Sequence, residues 1–275
     1  MDELHQKYQK LREILRGLGS VAVAFSSGVD STFLVRAAHD ALGARAVAFT
    51  AQSDFVPQRD VDEAAAFCRT LGVEHVVVPF PILQVPHVAE NPKDRCYSCK
   101  HALFSEMKAQ AAARGLAAVV DGSNLDDDRD YRPGHRALAE LGIVSPLHEA
   151  GMYKQDIRDL SRELGLPTWN KPSFACLASR FPYGHTLTPE GLARVNTAEE
   201  FLMAHGFRQF RVRDHGDTAR IELPPEDIGR MLDPTLREAV VQRLKALGYL
   251  YVTLDLEGYR IGAMNEGLKK ESLQK

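Results

Sequence analysis

Short apolar runs alternate with segments of helical periodicity over roughly the first two thirds of the chain. The run at residues 21–25 is continuously apolar, which is typical of a strand buried on both faces, and further strands are predicted at 46–50, 73–78 and 117–121. Apolar positions at steps of three and four predict helices over 4–18, 59–71 and 154–164, and 145–147 is predicted as a short final strand. Strands that alternate with helices predict right-handed βαβ units and a parallel sheet.

The pattern changes after residues 167–173, a stretch rich in turn-forming residues. A helix is predicted over 189–205, followed by a hairpin of 210–213 and 219–223 with one charged face. A long helix over 225–247 and strands at 250–255 and 259–261 complete the pattern. We therefore expect an α/β domain with a parallel sheet over 1–170 and a smaller α+β domain over 171–275.

The turn after the first strand carries small hydroxyl residues where a helix begins. It contains Ser26, Ser27, Gly28, Asp30 and Ser31. Backbone N–H groups and hydroxyls aimed at one point, at the positive end of a helix, bind phosphate. The turn lacks the lysine of a Walker A loop and the second and third glycines of the dinucleotide fingerprint. The alternative is an ordinary helix start capped by Ser or Asp.

Two further strand ends are candidates for the same site, because ligands of parallel sheets bind where the strands end. Thr50 is predicted to meet the adenosine half of a nucleotide. Residues 121–128 are small and acidic, and Mg²⁺ prefers carboxylates together with phosphates, so they are predicted to line a Mg²⁺–triphosphate site. A solvated acidic helix cap is the alternative for this segment.

Composition narrows the class of protein. The 275 residues are 44% hydrophobic and 26% charged, which is typical of a globular chain. The 34 Lys and Arg against 37 Asp and Glu give a net charge of −3, which argues against a nucleic-acid partner and favours a small molecule. No apolar stretch approaches the roughly 20 residues of a membrane span, and no signal-peptide apolar region is present near the N-terminus, so we expect a cytoplasmic protein without a membrane partner.

Three of the four cysteines lie in settings that favour chemistry. Cys96 and Cys99 form a C-x-x-C pair, and Cys176 follows the predicted domain boundary, whereas Cys68 in an apolar helical segment is predicted to be core. Three thiolates suit an iron–sulfur cluster with one open iron. A histidine as fourth ligand gives a zinc site, and the pair alone can form a redox disulfide. The spacing leaves these alternatives open.

The phosphate turn resembles the Ser-Gly-Gly-x-Asp-Ser loop of the PP-loop ATP pyrophosphatases, with Ser27 in the place of the first glycine. Over nearly its whole length the chain resembles the LarE family, the PP-loop sulfur transferases of nickel-pincer cofactor synthesis. The matching segments are 26–33, Asn91-Pro92, Arg95-Cys96-Tyr97-Ser98-Cys99-Lys100, Asp121-Gly122-Ser123-Asn124, and Cys176-Leu177-Ala178-Ser179-Arg180-Phe181-Pro182-Tyr183-Gly184.

The resemblance implies a HUP-like fold of the adenine nucleotide alpha hydrolase type and the use of ATP and Mg²⁺. Such an enzyme adenylates the carboxylates of pyridinium-3,5-dicarboxylate mononucleotide, releases pyrophosphate, and lets a sulfur nucleophile form thiocarboxylates. The resemblance implies ATP binding by Ser26, Ser27, Gly28, Asp30 and Ser31, and the strand-end argument adds Thr50. Asp30 and Ser31 are also expected to be catalytic.

Members of the family use one of two sulfur sources. Cys176 matches the position that gives up its own sulfur in sacrificial members, which leaves dehydroalanine. Members with an additional C-x-x-C are similar to forms in which three cysteines hold a 4Fe–4S cluster that carries a transferable sulfide. Because Cys96 and Cys99 are present, the resemblance favours a cluster on Cys96, Cys99 and Cys176.

Cationic side chains are expected to receive the anionic substrate. Arg211 and Arg213 alternate onto one face of the predicted hairpin, and arginine grips phosphate with two N–H groups. By resemblance Glu199, Arg211 and Arg213 bind the mononucleotide, and Arg180 is a further substrate-binding candidate; a solvated strand face is the alternative. The family assignment also predicts a homo-oligomer, a sulfur donor and a downstream nickel-insertion protein as partners.

Two other classes of function compete with this interpretation. Within the superfamily, a tRNA thiolase or an ammonia-using amide synthetase has the same phosphate loop, although the acidic balance argues against tRNA. The non-enzymatic alternative is a nucleotide-sensing module with a degenerate phosphate loop, and Ser27 is the feature that suggests it.

Overall fold

The computed structural model describes residues 2–129, 134–260 and 262–265. The chain divides into two compact units, one of Met1–Val88 with Asp94–Phe174 and the other of Ala89–Lys93 with Ala175–Lys275. The roles expected for residues 1–170 and 171–275 as separate domains stay predictions.

The first unit is built on a parallel sheet of four strands. The strand order is β3-β2-β1-β4, and every pairing is parallel. Its elements are α1 (Glu3–Leu18), β1 (Val21–Ala24), α2 (Val29–Leu42), β2 (Ala46–Gln52), α3 (Gln58–Leu71), β3 (Glu74–Pro79), α4 (Arg95–Ala113), β4 (Ala118–Val120), α5 (Gly134–Glu140), α6 (Pro146–Glu149) and α7 (Lys154–Glu163).

Helices cover both faces of this sheet, because successive strand residues point to opposite sides. Val21 and Val23 of β1 pack into a core shared with α1, α2 and α7. Ala22 and Val47 point the other way, into a core with α4 and α5. The predicted α/β class with a parallel sheet is confirmed.

The order of strands creates a crevice beside β1. The chain moves outward from β1 through β2 to β3 and then returns to place β4 on the other side of β1. The exits of β1 and β4 therefore flank the point at which the strand order reverses, which is where ligands bind in open α/β sheets.

These two exits approach each other closely at Gly122. A Cβ atom at this glycine would lie 3.2 Å from the backbone nitrogen of Ser31 and 3.4 Å from Cβ of Asp30. The loop after β4 thus rests directly on the first turn of α2, and a side chain at residue 122 would push the two loops apart.

Two parts of the first unit differ from the sequence expectation. The predicted strand at 145–147 is wrong, because Pro146 lacks the N–H that a ladder needs and instead begins α6. Val144 makes an isolated parallel bridge to Val120. Helix α4, which no pattern had indicated, carries Cys96 and Cys99 in its first turn.

The second unit combines helices with a small mixed sheet, as an α+β domain does. Strands β5 and β6 form an antiparallel hairpin, and the third strand pairs in parallel with β6 to give the order β5-β6-β7. Its elements are α8 (Pro189–Ala204), β5 (Arg211–His215), β6 (Thr218–Glu222), α9 (Pro225–Ile228), α10 (Pro234–Ala246) and β7 (Tyr251–Leu254).

Two predictions for this unit are wrong. The expected helix over 225–247 is divided, because Pro234 starts a new helix whose N-cap Asp233 accepts a hydrogen bond from Leu236 N. The expected strand at 259–261 is not formed at Tyr259, whose N–H instead donates to the carbonyl of Leu223. Ile261 lies outside the described residues.

Over the part of the chain that the structure describes, no helix is both long enough and apolar enough to cross a membrane.

We predict that Gly122→Ala weakens the phosphate site. The added methyl group must displace the backbone at Ser31, and such overpacking costs about 1–3 kcal/mol. Thermal unfolding and ATP titration measure the two effects. Gly17→Ala is the control, because its Cβ meets nothing within 4 Å in helix α1 and is expected to stabilise by up to about 1 kcal/mol. Equal unfolding temperatures and equal ATP affinities of the two variants contradict the close packing of Gly122 against the first turn of α2.

Candidate functional site

The loop between β1 and α2 is folded around the side chain of Ser31. Oγ of Ser31 accepts a hydrogen bond from the backbone N–H of Ser26 at 3.2 Å and lies 3.2 Å from Ser26 Oγ. Gly28 is the N-cap of α2, and its carbonyl accepts from Thr32 N. The loop is therefore preorganised at the positive end of a fourteen-residue helix.

Ser27 occupies a left-handed backbone conformation with φ of +53°. Glycine adopts this region without a steric penalty, which accounts for the glycine that PP-loops carry here. Ser27 is buried, and its hydroxyl donates to the carbonyl of Ser26 at 2.7 Å. Serine in place of glycine at residue 27 thus keeps the left-handed backbone conformation, and its side chain adds a local hydrogen bond.

Asp30 is held by residues that arrive from two other segments. Nζ of Lys154, at the start of α7, donates to one carboxylate oxygen, and Asn124 Nδ2 donates to the other at 3.3 Å. Sequence analysis missed Lys154, because no local motif surrounds the first residue of a predicted helix. The structure thus joins the exits of β1 and β4 and the N-terminus of α7 at one carboxylate.

The acidic residues after β4 satisfy backbone donors. Oδ2 of Asp126 accepts from Lys154 N at 2.8 Å, and Oδ2 of Asp127 accepts from Asn124 N at 3.0 Å. Among the described residues, no group of three or more His, Cys, Asp or Glu side chains is arranged to hold a metal ion. The Mg²⁺ role of this segment stays a prediction.

Thr50 is buried where β1 and β2 run side by side. Its hydroxyl donates to the carbonyl of Phe25 at 2.9 Å, and Nε2 of His75 lies 2.8 Å from Oγ1 of Thr50. Because the Thr50 hydroxyl donates its proton to Phe25, Nε2 of His75 is the donor in the second contact, and burial lowers the pKa of His75. The hydroxyl is thus committed to the sheet, and the adenosine contact expected of Thr50 stays a prediction.

A second lysine reaches the phosphate loop from the end of the first unit. Nζ of Lys171 donates to the carbonyl of Ser27 at 3.2 Å and to Glu63 at 2.6 Å. Arg158 fixes this segment by donating to the carbonyls of Trp169 and Lys171. Two ammonium groups, those of Lys154 and Lys171, thus contact the turn that carries the hydroxyl residues.

The C-x-x-C pair lies in the first unit, and Cys176 lies in the second. Cys96 and Cys99 are half-buried, Cys176 is exposed, and none of the four cysteines is in a disulfide. The guanidinium of Arg95 approaches Cys96 Sγ at 4.0 Å. Cys68 is buried, which raises the pKa of its thiol to about 11.

The backbone of Cys176 is fixed from three directions. Cys176 caps a 3₁₀ helix of Leu177–Arg180. Its carbonyl accepts from the N–H of Ser179 at 3.0 Å, from the hydroxyl of Ser179 at 2.8 Å and from Arg180 Nη1 at 3.1 Å. An exposed thiol is therefore carried on an ordered turn.

Arg180 and Glu199 form a fully buried pair behind this turn. Two parallel N–H···O bonds of 2.9 and 2.8 Å join them, and Glu199 also accepts from Val212 N. Burial alone lowers the pKa of Arg180, but the carboxylate of Glu199 more than offsets this and raises the pKa. The pair ties the Cys176 turn to α8 and β5, so both predicted substrate ligands hold each other.

The two hairpin arginines point inward, so the alternative of a solvated strand face is wrong. Arg213 makes two bonds of 2.9 and 2.8 Å to the buried Glu222 and donates to Ser179 O. Arg211 donates to the carbonyl of Phe210, and its guanidinium lies 5.0 Å from the ring centroid of Tyr259. Burial, followed by the charge of Arg180, lowers the pKa of Arg211 to about 10.

Sequence similarity to known proteins extends over nearly the whole chain. No protein-family model matches it. It is 42% identical over 274 residues to the pyridinium-3,5-bisthiocarboxylic acid mononucleotide synthase of Lactiplantibacillus plantarum, which covers 99% of each chain. An uncharacterized protein of Synechocystis is 43% identical over 267 residues, 97% of this chain and 100% of its own. The NH(3)-dependent NAD(+) synthetase of Aeropyrum pernix is 35% identical over 58% of this chain and 59% of its own.

The hydroxyl-rich loop lies at the switch point of a parallel sheet, and the chain is similar to an NAD(+) synthetase over 58% of its length; together these define an ATP pyrophosphatase-type enzyme of the PP-loop class. Within this class the chain belongs to the LarE family, because its identity to the Lactiplantibacillus synthase extends over nearly every residue. The predicted family is confirmed.

We predict that position 27 tolerates glycine but not a β-branched residue. Ser27→Gly keeps the backbone at φ of +53° without strain, so pyrophosphate release is expected to stay within about twofold of wild type. Ser27→Val places a branched side chain in this conformation and is expected to lower the rate by about tenfold or more. Single-turnover pyrophosphate assays compare the variants, and equal rates contradict the conformational argument.

Glu199→Gln is expected to destabilise the protein by about 3–5 kcal/mol, because it leaves the buried guanidinium of Arg180 without its carboxylate. The neighbouring Glu200→Gln provides the control: Glu200 is exposed and accepts from Asn196, so a change within about 0.5 kcal/mol is expected. Denaturant titration gives both free energies. A small effect at both positions shows that the buried pair does not hold the second unit together.

Proposed function

We propose that the protein is an ATP-dependent sulfur transferase of nickel-pincer cofactor synthesis. Its substrate is pyridinium-3,5-dicarboxylate mononucleotide, whose carboxylates become acyl-adenylates and then thiocarboxylates. The observation that carries the proposal is the 42% identity over 99% of the chain to a synthase of the bisthiocarboxylic acid mononucleotide.

Adenylation is the first step. A substrate carboxylate attacks the α-phosphorus of ATP, and pyrophosphate leaves. Mg²⁺ that enters with ATP would neutralise part of the phosphate charge. The N-terminal turn of α2 and the hydroxyls of Ser26 and Ser31 supply hydrogen bonds to phosphate oxygens. Lys154 and Lys171 supply positive charge next to the same turn. These groups stabilise the charge that develops on the leaving pyrophosphate.

Sulfur transfer is the second step. The exposed thiol of Cys176, as thiolate, attacks the acyl carbon and expels AMP, which forms a thioester. Removal of the Cα proton of Cys176 then lets the Cβ–Sγ bond break, and its electron pair stays on sulfur. The products are a thiocarboxylate and dehydroalanine at residue 176. The fixed carbonyl of Cys176 supports this role, because it limits the positions the thiol can take.

A 4Fe–4S cluster on Cys96, Cys99 and Cys176 is the second candidate source of sulfur. The C-x-x-C pair supports it, and the three cysteines are not in disulfides. Among the described side chains, no group of three or more His, Cys, Asp or Glu is arranged to hold a metal ion. When bound, such a cluster would supply a sulfide nucleophile.

Arg211 and Arg213 are proposed to bind the mononucleotide phosphate. An anion beside Arg211 would offset the burial and the charge of Arg180, which together lower its pKa to about 10. Arg180 and Glu199 are proposed to act on the substrate through the Cys176 turn, since they bond to each other. A homo-oligomer, a cytoplasmic location, a sulfur donor and a nickel-inserting partner stay predictions.

A tRNA thiolase and an amide synthetase are the alternatives. The net charge of −3 favours a small substrate over tRNA. The identity to the NAD(+) synthetase covers 58% of the chain, whereas the identity to the synthase of the bisthiocarboxylic acid covers 99%.

The test measures pyrophosphate, AMP, thiocarboxylate and intact protein mass with ATP, Mg²⁺ and the dicarboxylate mononucleotide. We expect pyrophosphate release only with this substrate. Asp30→Ala is expected to abolish release, because Asp30 organises the phosphate loop with Lys154 and Asn124. Cys176→Ala is expected to release pyrophosphate without forming thiocarboxylate.

Cys96→Ala separates the two sulfur sources. With sacrificial transfer, the variant keeps its activity and the protein loses the mass of one H₂S per turnover. With a cluster, anaerobically reconstituted wild type shows visible iron–sulfur absorbance, and Cys96→Ala loses both the absorbance and the product. Pyrophosphate release stimulated by tRNA or ammonia, or none with the mononucleotide, overturns the proposed function.

A further inference from the structure

Residues Ala89–Lys93 leave the first unit and belong to the second, although Val88 before them and Asp94 after them belong to the first. We call this segment the strap. Two backbone hydrogen bonds attach it to the chain that follows Cys176. Gly184 N donates to the carbonyl of Asn91 at 2.9 Å, and Leu187 N donates to the carbonyl of Ala89 at 2.7 Å.

The side chain of Asn91 makes the same attachment. Its amide nitrogen donates to the carbonyl of Pro182 at 2.8 Å and to that of Phe181 at 3.3 Å. Asn91 is completely buried and has φ of +53°. Most residues other than glycine, asparagine and aspartate are strained in this conformation. Asparagine suits both demands, since it tolerates the left-handed region and brings a donor that glycine lacks.

The Cys176 turn is thus held at both ends. At its start, Arg180 and Ser179 donate to the Cys176 carbonyl. At its end, the side-chain amide of Asn91 donates hydrogen bonds to the carbonyls of Phe181 and Pro182. Without the amide of Asn91, the carbonyls of Phe181 and Pro182 lose a buried donor, and the chain after the turn is free to shift.

We propose that Asn91 is a positioning residue for sulfur transfer: it orders the segment 181–187 and thereby fixes the turn that presents Cys176. The effect on sulfur transfer rests on the proposed function. The ordering of segment 181–187 by Asn91 does not depend on that function. Asn91 acts through the loop and contacts neither ATP nor the reacting carboxylate in this role.

Asn91→Gly is the principal test, because glycine keeps the backbone conformation and deletes the amide. Pyrophosphate release is expected to stay within about twofold, since the phosphate loop lies in the first unit. The rate of single-turnover thiocarboxylate formation is expected to fall by about tenfold or more, because the reacting groups are misplaced, while the substrate concentration that gives half the maximal rate changes little. Hydrogen exchange at Gly184 and Leu187 is expected to accelerate.

Asn91→Asp is the second variant, because aspartate has nearly the same shape and tolerates the left-handed region but donates no hydrogen bond when ionised. It is expected to behave as Asn91→Gly does. Asn196→Ala is the matched control, since it removes an amide that bonds to Glu200 on the surface of α8, and it is expected to match wild type in every measurement.

Three outcomes overturn the proposal. Unchanged exchange at Gly184 and Leu187 in both variants shows that Asn91 does not order the loop. Faster exchange with undiminished thiocarboxylate formation shows that the order does not serve sulfur transfer. Equal losses of pyrophosphate and thiocarboxylate show a general defect. If wild type forms no thiocarboxylate, the proposed function fails, and the exchange measurement still decides whether Asn91 orders the loop.

Discussion

The close approach of two loops beside β1 is the constraint on which the phosphate site depends. The backbone at Gly122 rests on Asp30 and Ser31 because no side chain intervenes. This contact brings Asn124 within hydrogen-bond distance of Asp30, and the same carboxylate receives Lys154. A site that looks local in the sequence is therefore assembled from three segments, and its geometry follows from the parallel strand order that places β4 next to β1.

The second unit depends on charges that are buried in pairs. Removing guanidinium and carboxylate groups from water is costly, and replacing such pairs with apolar residues is often neutral for stability. Their value here is geometric, since Arg180 reaches the Cys176 carbonyl and Arg213 reaches the Ser179 carbonyl while each is held by a carboxylate. The pairs thereby fix the shape of the turn below the exposed thiol.

The sequence predicted the parts of the structure that depend on local pattern. The four strands of the parallel sheet and the phosphate turn are readable because apolar runs and small hydroxyl residues lie close together in the chain, although β3 lies at the sheet edge and buries only Val78. Lys154 and Asn91 were not recognised as site residues on their own, because their partners lie far away in sequence. The inward direction of Arg211 and Arg213 was missed because a period of two shows that side chains alternate, not which face is covered.

The strap means that the two units are not consecutive pieces of chain. A fragment ending at residue 174 would contain the complete parallel sheet but would also contain Asn91, whose carbonyl and amide partners at 181–184 would be missing. A fragment starting at residue 175 would lack the donor for those carbonyls. Neither half can be cut out cleanly by choosing one cleavage point, so exchange of domains between relatives must carry five residues along with the C-terminal part.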